Sequence, residues 1–173
     1  MERLAPVFSQ ALAPYGINYY FCTQKHNSMA TDKVKYWIEI ANYDIGTAEA
    51  LFKTRRWLYV AFMCHQAIEK TLKAYWCGTR EDDPPYTHNH KRLATGCELY
   101  EKMSIEQRDF IETITNFNIE ARYPEDKDAL YRQLSKPYCR QIIDKTKQLI
   151  QWIKEELSAA TKPSISSDAT SAS

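Results

Sequence analysis

The stretch Phe62-Met63-Cys64-His65-Gln66-Ala67-Ile68-Glu69-Lys70-Thr71-Leu72-Lys73-Ala74 reads as helix over its whole length. At about 100° per residue, Val60, Ala61, Cys64, Ala67, Ile68, Leu72 and Tyr75 fill one wide apolar arc. His65, Gln66, Glu69, Lys70 and Lys73 fill the remaining arc, and Phe62 and Trp76 fall among them. A fully solvated face would not carry two large aromatic residues, so this polar stripe is expected to be half buried, against another helix or a second chain. Glu69 and Lys73 stand i,i+4 in the favourable order. One reading makes them a helix-surface ion pair worth about 0.2–0.5 kcal/mol. The other makes the stripe a polar site in which His65 and Lys73 meet a phosphate or carboxylate.

Working outward, this helix is expected from about Trp57 to Cys77, with Gly78 as its stop. The preceding helix should open near Thr31 or Asp32, with Trp37, Ile40, Ala41, Ala48, Leu51 and Phe52 on its apolar face. Residues 79–85 carry charges and two prolines and read as a loop. A third helix is expected over about Lys91 to Lys102. Ser104 and Gln107 form a capping box that opens a fourth, whose face is Phe110, Ile111, Ile114, Phe117 and Ala121. Tyr123-Pro124 breaks it. The last helix runs from Leu130 or Lys136 to Leu157, with Pro137 suited to a first turn begun near Ser135 and Ile142, Leu149, Trp152 and Ile153 facing inward. No strand pattern and no internal repeat survive. The fold class is therefore all-α, an up-and-down bundle of four to five helices.

Residues 1–30 lack a long helical period and are read as an N-terminal extension, with Met29 as an alternative start. Residues 158–173, rich in Ser, Ala and Thr, read as a disordered tail. The net charge of +1 excludes a bulk basic field for nucleic acid, so any such binding needs a local patch. Five cysteines at 22, 64, 77, 97 and 139 make neither a paired disulfide framework nor a Cys-x-x-Cys zinc motif, and are expected to be reduced and partly buried. No run has the length of a membrane span and the N-terminus lacks a signal-peptide pattern, which gives a cytoplasmic expectation.

Two further elements could meet the stripe. His88 and His90 precede the third helix, and His88 could cap it or hydrogen-bond across the bundle. Arg122-Tyr123 ends the fourth; an arginine there could hold a phosphate or pair with Glu69. The histidines are few and no carboxylate stands at ligand spacing from them, so neither a metal nor a cofactor is expected.

Together these residues resemble the HEPN domain family, in its small stand-alone prokaryotic branch. The branch has a Trp, Ala, Asp, Ala pattern on its first helix, here Trp37, Ala41, Asp44 and Ala48. Its Gln-Ala-x-Glu-Lys-x-Leu-Lys-Ala signature is unbroken from Gln66 to Ala74, and Thr87-His88 and Arg122-Tyr123-Pro124 follow in order. The resemblance spans residues 31–157. It implies a homodimer of helical bundles, a nucleotide or RNA ligand, and a minimal nucleotidyltransferase partner in a toxin–antitoxin-like system. The candidate ligand-binding residues are His65, Gln66, Glu69, Lys70, Lys73, His88, Arg122 and Tyr123. Other branches of the family are metal-independent ribonucleases with an Arg, four to six residues, then His. Here the nearest pair, Arg80 and His88, has seven residues between, two of them prolines, so no catalytic residue is assigned. A binding module, a ribonuclease with a non-standard site and a purely structural dimerisation domain remain the alternatives.

Overall fold

A computed structural model describes residues 15–120 and 132–162, with backbone alone for 15–29 and 119–120. Its helices are α1 (Tyr15–Lys53), α2 (Trp57–Thr79), α3 (His90–Gly96), a 3₁₀ turn (Tyr100–Lys102), α4 (Ile105–Glu120) and α5 (Lys136–Ala160). There is no strand among the described residues. The protein is an all-α bundle, and α2 is its axis: α1, α3, α4 and α5 all pack on it. This explains its composition. The arc read as apolar is buried, and every residue from Thr71 to Cys77 is buried on all sides. The amphipathic helix α5 supplies the opposing layer, burying Cys139, Ile142, Ile143, Thr146, Leu149, Ile150, Ile153 and Leu157 at the three- and four-residue spacing of one face.

The caps follow local chemistry. Ser104 Oγ accepts from Gln107 N–H at 3.2 Å while Ser104 N–H donates to Gln107 Oε1 at 2.8 Å, the reciprocal pair read in the sequence. Ser135 caps α5, with Pro137 in its first turn.

Elsewhere the structure corrects the reading. Helix α1 starts at Tyr15, not at Thr31 or Asp32, and runs through the segment taken as an extension. Residues 15–30 contain no proline, and extending an existing helix costs far less than nucleating one. The third helix is split: α3 stops at Gly96, Glu98 takes a left-handed φ of 61°, and Leu99 N–H returns to Ala94 O at 2.9 Å. Arg55 takes the same φ of 61° at the turn from α1 to α2. Neither turn uses glycine. Gly78 is not a stop either, since α2 continues to Thr79. A Cβ there would lie 2.4 Å from Leu157 Cδ1, so Gly78 lets α2 close on α5. Helix α5 continues to Ala160; residues 163–173 of the expected tail, and Ala121, lie outside the described residues.

The four described cysteines are free and buried. Burial pushes the Cys64 thiol up to about 12, and Cys97 and Cys139 up to about 11. Since the thiolate is the reactive form, iodoacetamide at pH 8 should leave these three unmodified in the folded chain and modify all three in guanidinium. Peptide mass spectrometry reads this, and labelling of the native protein at a free-thiol rate would contradict the packing.

Candidate functional site

His65, Glu69 and Lys73 follow one another at i,i+4 along α2, with Gln66 and Lys70 one step round the helix. The stripe is deeper than half buried. His65 and Glu69 are 0% exposed and Lys73 is 8% exposed, which removes the reading of a surface ion pair. A helical wheel gives the direction of a side chain but not how much structure covers it.

Glu69 organises the cluster by dividing its carboxylate. Oε1 accepts from Lys73 Nζ at 2.8 Å and Lys70 Nζ at 3.1 Å. Oε2 accepts from His88 Nδ1 at 2.8 Å and faces His65 Nε2 across 3.6 Å. Burial would raise this carboxyl, but the hydrogen bonds from Lys73 and His88 outweigh that, with Lys70 adding its charge, and hold it well below the usual carboxylate range. Lys70 also donates to Gln66 Oε1 at 2.8 Å, and Gln66 Nε2 donates to Asn118 Oδ1 on α4 at 3.5 Å. Lys73 Nζ lies over the Trp37 ring, 5.2 Å from its centre.

His88 arrives from a pinned loop. Trp76 Nε1 donates to Asp82 O at 3.0 Å, and Lys33 on α1 pairs with Asp83. Asn89 then caps α3, accepting from Arg92 N–H at 2.8 Å. His88 therefore bridges the bundle to Glu69, and the capping role falls to Asn89.

His90 is wholly buried. Its Nε2 donates to His65 O at 3.2 Å, and its ring lies 4.3 Å from that of His65. Burial lowers its pKa from 6.5 to about 3, helped by the neighbouring His65. The sign follows. Between these values the unfolded chain binds a proton that the folded chain refuses, so stability falls as pH drops below 6.5. The slope approaches about 1.4 kcal/mol per pH unit mid-window. Urea titrations at pH 7, 6, 5 and 4 should show this, and His90→Gln should flatten it; an unchanged slope in the variant would rule His90 out as its source.

Five of the eight candidates, His65, Gln66, Glu69, Lys70 and Lys73, thus share one face of α2, and His88 joins them. Arg122 and Tyr123 lie outside the described residues. The expectation that no carboxylate neighbours the histidines fails, because Glu69 lies beside both His65 and His88. Nineteen residues separate Glu69 from His88, and only the loop closes that gap. Trp37, Asp44, His90 and Asn118 also belong to the site's surroundings. Burial raises the Asp44 carboxyl, with Lys70 and Glu69 close enough to act on it. Trp37, Ala41, Asp44 and Ala48 lie on one face of α1; Ala41 and Ala48 are buried, and that shared face was the signal for Asp44.

The sequence pattern of the HEPN domain family matches residues 34–157. The chain belongs to the HEPN domain family. No curated protein matches the sequence. Among solved structures, the bundle is similar to the protein TT1696 from Thermus thermophilus. The TM-score is 0.62 at 16% identity, over 72% of this chain and 98% of that one. At that identity the likeness concerns the fold alone. This HEPN domain holds the run Gln66 to Ala74 on α2, the axis of the bundle, with the buried Glu69 within it. No described helix is long and apolar enough to cross a membrane.

Proposed function

We propose that this HEPN protein is a binding module for a phosphate-bearing ligand, a nucleotide or a stretch of nucleic acid, taken at the Lys70–His88 edge of the Glu69 cluster. One observation carries the reading. Lys70 and His88, whose side chains are 16% and 41% accessible against 10% for Lys73, are each held by the buried Glu69 carboxylate. Donors fixed in advance lose little freedom on binding an anion. Arg122 follows the end of α4 by two residues in the sequence and is the natural third cation. The reading extends to a homodimer and to a minimal nucleotidyltransferase partner in a toxin–antitoxin-like pair, which family membership supports.

A thermal-shift series with ATP, GTP and a short RNA tests it. A ligand at 100 times its Kd stabilises by about 2.7 kcal/mol. A shift is expected with at least one of the three, and Lys70→Glu or Arg122→Glu should abolish it. No shift with any of them would leave the structural reading, in which Glu69→Gln costs stability and nothing else. Light scattering and a pull-down with the nucleotidyltransferase test the assembly.

A second reading, a ribonuclease, draws on His88. An imidazole oriented by a buried carboxylate can transfer protons. RNA cleavage that survives the paired change His65→Ala and His88→Ala would sink it.

A further inference from the structure

On the side of Glu69 turned away from the lysines, His65 faces the carboxylate without a hydrogen bond. His65 Nδ1 lies 3.2 Å from the carbonyl oxygen of Ile114. A carbonyl only accepts, so Nδ1 carries the ring proton. Neutral His65 then presents the Nε2 lone pair to Glu69 Oε2, also an acceptor, across 3.6 Å. That nitrogen is buried and has no hydrogen-bond partner among the described residues. Two acceptors facing each other in the core repel, unless a positive centre lies between them.

The same oxygen accepts from His88 Nδ1 at 2.8 Å in the metal-free chain; with the His88 ring proton moved to the exposed Nε2, Nδ1 presents a lone pair instead, and one ligand atom from each of His65, Glu69 and His88 lies within 4.8 Å of the others. We infer that His65 Nε2, Glu69 Oε2 and His88 Nδ1 form a binding site for a divalent transition-metal cation of the zinc class. Two imidazole nitrogens and one carboxylate oxygen are the donor set of many three-ligand zinc sites, which keep a further position open. The lysines do not compete for these atoms, since both engage Oε1. Their charges weaken the site without closing it. His88 supplies the exposed edge, with 41% of its side chain accessible, whereas His65 and Glu69 are enclosed.

The inference does not rest on nucleotide binding, and its test uses the metal alone. The full chain, stripped with chelator and reduced, is titrated with ZnCl₂ by calorimetry and with CoCl₂ by visible absorption. One equivalent should bind, and cobalt should give the d–d bands of nitrogen and oxygen ligation without thiolate charge transfer. His88→Ala, on the exposed edge, should weaken binding at least about 10-fold while the fold is kept. Glu69→Gln should do the same if it folds; His88→Ala decides the matter if it does not. His90→Gln, which removes no ligand, should bind zinc as the parent does. Absence of stoichiometric binding by the folded parent would show that these three residues do not form a metal site. Binding untouched by His88→Ala, or carried by thiolates, would place the metal elsewhere, and either result overturns the assignment.

Discussion

Glu69→Leu should lower the unfolding free energy by about 3–5 kcal/mol, although it puts a hydrophobic side chain into the core. The reason is what it leaves behind. Lys73 is 8% exposed, and its ammonium would lose its carboxylate while the Trp37 ring still covers it. Lys70 and His88 would lose the same partner but are more open to water, with side chains 16% and 41% accessible against 10% for Lys73. Lys70→Ala should accordingly cost less than about 1 kcal/mol, as near-surface pairs do. Adding Lys73→Met to Glu69→Leu removes the stranded charge and should restore much of the loss, because a buried ion pair is often replaceable by apolar residues of similar volume. Urea midpoints of the four proteins at pH 7 measure this. If Glu69→Leu were as stable as the parent, Lys73 would have to reach solvent by another rotamer, and Glu69 would not organise the site. The depressed Glu69 carboxyl adds a pH signature. Its contribution is complete above the ordinary value of 4.5 and is lost as pH falls through the lower folded-state value.

Trp76→Ala should cost about 3–5 kcal/mol and should also loosen the loop that carries His88. Trp76 is 7% exposed, and its ring fills the space that Gly96 leaves open: a Cβ on Gly96 would lie 2.4 Å from Trp76 Cζ3. Its indole N–H holds Asp82 O, and the Arg80 guanidinium lies over its ring at 5.7 Å. Truncation therefore opens a cavity between α2 and α3 and frees the loop in one step. Trp76→Phe keeps most of the packing and loses the hydrogen bond, so about 1 kcal/mol is expected. Hydrogen exchange over residues 80–89 separates the two effects. Faster exchange there should accompany Trp76→Ala. Protection equal to that of the parent would mean that the other ties, among them Lys33–Asp83, Arg80–Glu98 and His88–Glu69, hold the loop without the indole.

The reading of the polar stripe was half complete for a definable reason. Periodicity placed His65, Glu69 and Lys73 on one line of α2, and the aromatic Trp76 among them signalled cover. How deep that line lies depends on α1, α3 and α4 packing over it, and no local pattern encodes that. The pairing of Glu69 with His88 depends on a loop held by Trp76, Lys33 and Asn89, three contacts from three separate elements.

Signals that act within one or two helical turns were readable from the chain alone. The helical class, the buried arc from Val60 to Tyr75, the capping box at Ser104 and the start of α5 at Ser135 all follow from neighbours a few residues apart. The family was legible as well, since the resemblance rests on short runs such as Gln66 to Ala74 within one helix, and the HEPN match covers residues 34–157. Tertiary structure alone decided the rest. It set the burial of Glu69, its split between lysines and imidazoles, the His65–Ile114 hydrogen bond, and the use of Gly78 and Gly96 for space instead of for turns. Each of these depends on distances between residues far apart in the chain, and only the packed bundle sets them.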